Sequence, residues 1–301
     1  MNQQQSNDLY KLFLIAPELV NLPIQIVEEF CASQAGIEVQ SPLVMQDEHC
    51  AFIYLVVDND QLDHFRGQLK QLADNLQVDL VLLAKDQANI KRKLAVFDMD
   101  STLIKVEVID ELAKRAGVGE QVIAITQAAM RGELDFSQSF TQRLALLKGL
   151  SESVLSEIAS ALPLMEGMAE LIAALKLRGY KVAILSGGFS YFANHLQQQH
   201  GFDYVFSNAL QIEAGEVTGI VEGEIVNAER KVALLKQIAQ ELEVDLKDTI
   251  AVGDGANDLP MLATAGLGVA FHGKPVVREQ APHAISTMGL DALLYLIEHD
   301  G

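Results

Sequence analysis

Apolar positions recur in two different ways along the 301 residues. In the first part, period-two and helical patterns follow one another closely. Tyr10–Ala16 predicts a strand and Leu22–Gln34 an amphipathic helix. Ile37–Met45 and Cys50–Asp58 predict two further strands, Gln61–Asn75 a helix, and Val78–Ala84 a last strand. The order β-α-β-β-α-β is that of the split βαβ, ferredoxin-like arrangement, and predicts an α+β unit over residues 1–88. The polar, basic segment Lys85–Lys93 suits a linker.

Beyond it the period changes. Leu94–Asp98 is a short apolar run of the kind expected of a strand buried on both faces, and Val182–Ser186 and Thr249–Gly253 repeat it. Leu267–Ala270 and His283–Ile285 are weaker runs of the same type. Helical stretches at Met168–Arg178, Ser190–Gln199 and Ala228–Glu241 separate them. This alternation predicts an α/β unit over residues 89–301, with a doubly wound parallel sheet and its chemistry at the carboxyl ends of the strands. Glu107–Ala161 interrupts the alternation with helical pattern alone and predicts a cap over those ends. Asn208–Asn227, alternating and glycine-containing, predicts a hairpin-like excursion.

Composition narrows the partners. Half the residues are apolar and 21% are charged, as in a globular protein with a sizeable core. A net charge of −19 repels nucleic acid and anionic membranes. No apolar run approaches the ~20 residues that span a bilayer, and the N-terminus lacks the pattern of a secretion signal, so a cytoplasmic location is expected. Cys31 and Cys50 are too few for a disulfide framework and read as reduced packing residues. The histidines, among them His195, His200, His272 and His283, show no ligand spacing and read as packing or surface residues.

Four short motifs fall at predicted strand or helix ends. Asp98 and Asp100 close the first apolar run, two residues apart, so both can face one side where the strand gives out. Paired carboxylates repel, which raises a pKa or calls for a cation. Asp254, in Gly253-Asp254-Gly255-Ala256-Asn257-Asp258, ends a second run and joins Asp98 on one hard cation if the two strands are neighbours. Ser186-Gly187-Gly188 offers a hydroxyl and backbone N–H groups to an anion. Lys231 opens a helix, where the dipole disfavours a cation. Each motif alone has a plain alternative: a polar turn, an aspartate cap, a strand-to-helix turn, a solvated lysine.

Together, and in this order, the four motifs resemble the haloacid dehalogenase-like phosphatase superfamily from about Leu94 onward. The resemblance implies that Asp98 is the nucleophile and Asp100 the general acid and base. It implies that Ser186 and Lys231 hold the phosphoryl group, and that Asp98, Asp254 and the carbonyl of Asp100 bind Mg2+. The stretches Asp98–Ala113 and Gly253–Leu262 are closer still to the phosphoserine phosphatase family. By that resemblance Glu107 meets the substrate amine and Arg143 its carboxylate. Gly187 and Asn257 complete the contacts, Asp258 supports the metal or Lys231, and Met130 and Phe136 close over the site. A guanidinium suits a carboxylate as a bidentate partner.

The implied reaction is hydrolysis of O-phosphoserine through an aspartyl-phosphate, the last step of serine biosynthesis. The alternatives are another small phosphomonoester or a phosphotransfer within the same superfamily, and an amino-acid-sensing binding protein. The last rests on the N-terminal pattern, which resembles ACT-type ligand-binding modules. Regulation and homodimerisation are the roles open to that unit. A protein that only binds has no need of the second carboxylate, Asp100.

Overall fold

The computed structural model of the protein describes residues 7–19, 24–88 and 90–297. The N-terminal part runs β1 (Asn7–Ile15), α1 (Gln25–Ser33), β2 (Ile37–Val39), β3 (Val44–Met45), β4 (Cys50–Asp58), α2 (Leu62–Leu76), β5 (Asp79–Ala84) and α3 (Lys85–Ala88). Its antiparallel sheet has the order β2-β4-β1-β5, with β3 also on β4. The predicted strand Ile37–Met45 is broken in two around Pro42, which has no N–H to give a ladder. Leu22 and Pro23 of the predicted helix and Asn89 of the predicted linker lie outside the described residues, as do residues 1–6 and 298–301.

One face of this sheet, with Leu12, Leu14, Ile53 and Leu55, packs on Phe65 and Leu69 of α2 and on Val27 and Cys31 of α1. The other face, with Phe13, Ile15, Val81 and Leu83, belongs to the same apolar cluster as the body of the chain. Cys31 and Cys50 are buried thiols, not joined to each other in a disulfide.

The rest of the chain continues β6 (Leu94–Phe97), α4 (Val108–Ala116), α5 (Gly119–Met130), α6 (Phe136–Ala145), α7 (Glu152–Ser160), α8 (Met168–Leu177), β7 (Lys181–Phe189) and α9 (Ser190–His200). It then forms β8 (Tyr204–Glu213), β9 (Glu216–Glu222), α10 (Ala228–Glu241), β10 (Thr249–Gly253) and α11 (Leu259–Thr264). β11 (Leu267–Phe271), α12 (Pro275–Gln280), β12 (His283–Ile285) and α13 (Leu293–Ile297) follow. The sheet order is β12-β11-β10-β6-β7-β8-β9, parallel from β12 to β8. β6 and β10 are completely buried, which explains why their sequences are unbroken apolar runs.

Two boundaries differ from expectation. The excursion predicted at Asn208–Asn227 begins as a sheet strand: β8 pairs in parallel with β7 from Tyr204, then turns antiparallel to β9. Tyr204–Phe206 is only half-buried, so it lacks the apolar run that marks the inner strands. Likewise β7 extends past the expected Ser186 through Gly187 and Gly188 to Phe189, while α9 begins at Ser190 as expected.

Helices α4 to α7 form the cap. Its entering and leaving segments lie side by side: Ile104 bridges Leu164, Lys105 N–H donates to the Pro163 carbonyl and Met165 N–H to that of Leu103, both at 2.9 Å. The far end of the cap is anchored on the hairpin, where Gly149 N–H donates to Val217 at 2.8 Å and Val217 N–H to Leu150 at 2.9 Å.

Candidate active site

β6 and β10 are neighbours in register, with Asp98 N–H donating to the Val252 carbonyl at 2.9 Å. Asp98 and Asp254 therefore emerge side by side where the two strands end. Asp258 joins them: one carboxylate oxygen from each of the three lies within 4.8 Å of the others. Gly253 is required here, because a β-carbon on it would stand 2.4 Å from the Asp258 carboxyl carbon. Asp258 Oδ2 accepts the Gly255 N–H at 3.0 Å, which locks the turn.

Lys231 fills the space beneath these carboxylates. Asn227 caps α10 by accepting the Arg230 N–H at 2.9 Å, and this places Lys231 in the first turn, pointing inward. Its side chain is 0% exposed. Nζ lies 2.8 Å from Asp98 Oδ1 and donates to Asp258 Oδ1 at 2.6 Å. Burial opposes its charge, but Asp258 and Asp98 overcome it and hold Lys231 above its ordinary value. The cost of a cation at a helix start is thus offset by two carboxylates.

The carboxyls themselves are crowded. Burial, then the Asp258 charge, pushes Asp98 up to about 7 against the pull of Lys231. Burial, then Asp98 and Asp258, pushes Asp254 up to about 8. Burial, then Glu107 and Asp98, holds Asp100 well above the usual carboxylate range, and its Oδ1 is buried with no hydrogen-bond partner among the described residues. An all-oxygen set with this repulsion is what a hard divalent cation relieves. The carboxylates found together are Asp98, Asp254 and Asp258; the sequence expectation was Asp98 and Asp254 with the main-chain carbonyl of Asp100.

The Ser186–Gly188 turn is also formed. Ser186 is fully buried, and its Oγ accepts the Gly188 N–H at 2.9 Å. Because β7 runs through the glycines, these N–H groups come from a strand end rather than a helix start. A β-carbon on Gly188 would meet the Met99 methyl at 2.8 Å and Asp100 Oδ2 at 2.9 Å, so only glycine lets the turn approach Asp100.

The cap reaches this turn. A β-carbon on Gly187 would stand 2.6 Å from Cζ of Phe136. Phe136 stacks on Phe140 (centroids 6.1 Å apart), which packs on Phe189 at 5.4 Å. Asp135 caps α6 in a reciprocal capping box with Gln138, fixing Phe136 as the first helical residue. Arg143 lies two turns further on, half-buried, with Nε donating to the Ser139 carbonyl at 3.4 Å. Burial draws its pKa down, while Glu107, Asp110 and Asp100 act to raise it. Glu107 stands at the N-terminal boundary of α4, yet its side chain does not cap the helix; Oε1 accepts the Ser101 hydroxyl at 2.9 Å. Asn257 is half-buried beside Gly255. Met130, the last residue of α5, is 67% exposed, so it is not buried over the site.

Two supporting residues escaped the sequence reading. Asn208, buried on β8, donates to the Gly187 carbonyl at 2.8 Å and accepts the Val226 N–H at 2.8 Å. Thr102 donates its hydroxyl to Asp254 Oδ1 at 3.3 Å. Thr102 was within the first motif and could have been marked, but nothing local distinguishes Asn208.

Residues 92–266 match the haloacid dehalogenase-like hydrolase family. A phosphoserine phosphatase of Archaeoglobus fulgidus is 44% identical over 248 residues, 82% of this chain and 72% of that protein. One from Vibrio cholerae is 50% identical over 207 residues, 69% of this chain and 63% of that protein. A solved HAD family hydrolase of Salmonella enterica serovar Typhi superposes with a TM-score of 0.85 at 33% identity, over 97% of this chain and 99% of that one, so its likeness includes the N-terminal sheet. The strand-end carboxylates, the buried lysine and these relatives agree: the chain belongs to the haloacid dehalogenase-like hydrolases and, within them, to the phosphoserine phosphatases.

Proposed function

We propose that the chain hydrolyses O-phosphoserine to serine and phosphate, with Asp98 as nucleophile and Mg2+ as the metal. The observation that carries the substrate is the pairing of opposite charges on the cap side: Arg143 of α6 feels the carboxylates of Glu107, Asp110 and Asp100. A zwitterionic amino acid brings one carboxylate for Arg143 and one ammonium for Glu107. Relatives that share these stretches act under the name phosphoserine phosphatase.

Asp98 attacks phosphorus in line, the P–O bond to serine breaks, and an aspartyl-phosphate forms. Asp100, whose pKa burial and the Glu107 and Asp98 charges hold well above the usual carboxylate range, gives its proton to the departing serine oxygen. It then takes a proton from the water that attacks the aspartyl-phosphate, and phosphate leaves with Asp98 regenerated. Lys231, Ser186 and the glycine N–H groups hold the phosphoryl oxygens as charge shifts among them. Asp98, Asp254 and the Asp100 carbonyl would hold Mg2+, which would supply charge neutralisation on the transferring group. Asp258 keeps Lys231 aimed at Asp98.

This reading treats residues 1–88 and 89–301 as two units and places the enzyme in the cytoplasm. Among the described residues no helix is long and apolar enough to cross a membrane. The N-terminal unit is left free to regulate or to pair two chains.

The test is phosphate release from L-phosphoserine, D-phosphoserine, phosphothreonine, a sugar phosphate and an aryl phosphate, with and without Mg2+, and with Asp98→Asn as control. Preference for phosphoserine, lost without metal and in the variant, is expected. Broad or sugar-selective activity would keep the catalytic core and remove the roles of Glu107 and Arg143.

A further inference from the structure

The two sheets meet along a seam between α2 and β5 on one side and α12 and β12 on the other. Asp79, buried at the start of β5, accepts hydrogen bonds from Ser286 N–H at 2.8 Å, Thr287 N–H at 2.9 Å and the Thr287 hydroxyl at 2.7 Å. Arg278 of α12 pairs with Asp74 of α2 at 3.1 Å. Between these ties the seam is not filled: a cavity of about 730 Å3 lies there, lined from both sides. That is the size of a small-molecule site.

Its walls have two characters. Leu69, Val78 and Ala281 give an apolar floor, all three buried. Arg66 and Lys70 project from the same face of α2 as Leu69. Lys70 Nζ donates to the main-chain carbonyls of Glu279 at 2.6 Å and Ala281 at 3.5 Å, which uses two of its three N–H groups and leaves its charge without a carboxylate bond. Arg66 has a loose pair at 3.7 Å with Asp63, which is itself fully exposed. Of the three acidic residues on the wall, Asp79 and Asp74 are committed to the ties above, and Glu279 alone faces Lys70.

A further cation stands behind the wall. Arg92 is 3% exposed; its Nη2 donates to the carbonyl of Gln87, a lining residue, at 2.9 Å, and its Nε and Nη1 have no hydrogen-bond partner among the described residues. His283 is also on the wall. Burial, then the charges of Arg66, Arg92 and Lys70, pushes its imidazole down to about 3. The wall is balanced in formal charge, with Arg66, Lys70 and Arg278 against Asp74, Asp79 and Glu279, but of its cations only Arg278 is held by a close carboxylate, which leaves Lys70 and Arg66 to face the cavity.

We propose that this seam cavity binds a small organic anion, with a carboxylate or phosphoryl head against Lys70 and Arg66 and an apolar body against Leu69, Val78 and Ala281. The bound molecule bridges α2 and α12 and so clamps the N-terminal sheet to the catalytic body.

The test titrates the full chain, by calorimetry and ligand-observed NMR, with three probes that share one apolar body: phenylacetate, phenylphosphonate and phenylacetamide. At least one of the two anions is expected to bind, and the neutral amide at least about tenfold more weakly. Whichever anion is tighter identifies the head. Lys70→Gln, which keeps donors for the two carbonyls, is expected to weaken the anion about tenfold. A side chain added at Gly67, on the cavity wall, meets open space, so Gly67→Trp is expected to fill the cavity and abolish binding while leaving phosphatase activity and melting temperature near those of the parent. Phenylphosphonate that still binds to Gly67→Trp is at the catalytic cluster. Equal binding of all three probes, no binding of either anion, or phenylacetate binding unchanged in both variants overturns the proposal.

Discussion

Phe136 of the cap and Gly187 of the core are in such close apposition that a β-carbon on the glycine would come within 2.6 Å of the ring. The cap and the Ser186–Gly188 turn therefore touch through the one residue type that leaves room for the contact. Gly187→Ala forces either the ring or the turn to move, and overpacking of this kind costs about 1–3 kcal/mol. We expect kcat/KM for phosphoserine to fall by about tenfold or more. Adding Phe136→Leu, which shortens the opposing side chain, is expected to recover part of the loss. A Gly187→Ala enzyme with parental kinetics would show that the contact does not bear on the reaction.

Lys231 has no solvent to fall back on, and its two carboxylates have no other cation among the described residues within ion-pair distance. Lys231→Met leaves Asp98 and Asp258 buried and uncompensated. Removing one partner of a buried pair costs about 3–5 kcal/mol, which urea unfolding of the metal-free variant will read. Activity is expected to fall to background. An unchanged unfolding midpoint would mean that the carboxylates simply take up protons.

Asp98 at about 7 and Asp254 at about 8 define a pH window for the metal-free protein. Both values lie above that of an unfolded aspartate, about 3.9. The stability they contribute is fully present below that value and is lost as pH rises through 7 and then 8. A divalent cation needs both groups ionised, so its binding releases protons and tightens with pH over the same range. Scanning calorimetry with EDTA is expected to show a melting temperature that falls progressively from about pH 4 to about pH 8, with Mg2+ restoring it most at the upper end. Mg2+ affinity independent of pH would contradict the crowding described here.

Arg143 and Glu107 are expected to separate substrates rather than set the rate of phosphoryl transfer. Arg143→Ala should raise KM for phosphoserine by about tenfold to a hundredfold, the scale of a lost charge-assisted pair, and leave an aryl phosphate nearly unaffected. Glu107→Gln should act the same way through the amine. Equal losses on both esters would assign the two residues to the fold of the cap.

What could be read from the sequence was whatever shows itself within a few residues. Asp98, Asp100 and Asp254 stood out because fully buried strands end in them, and an apolar run stopping at a carboxylate is visible in one dimension. The insertion of the cap was visible because a helical period replaced the expected strand. The start of β8 was missed because Tyr204–Phe206 is half-buried and short. The strand character of Gly187 and Gly188 was missed because glycines followed by a helix look like a turn. Asn208 acts on Gly187 from another strand, so its role exists only after the sheet has formed.

The sheet order also has a consequence for how the enzyme comes into being. Thr102 and Asp254, which share a hydrogen bond at the site, are 152 residues apart along the chain. Closing so long a loop comes before any reward from the contact, a feature of slow-forming topologies. During synthesis Asp98 emerges long before Asp254, and a nascent chain that ends short of Asp254 has no complete cluster. The three carboxylates are therefore brought together only when β10 lies beside β6.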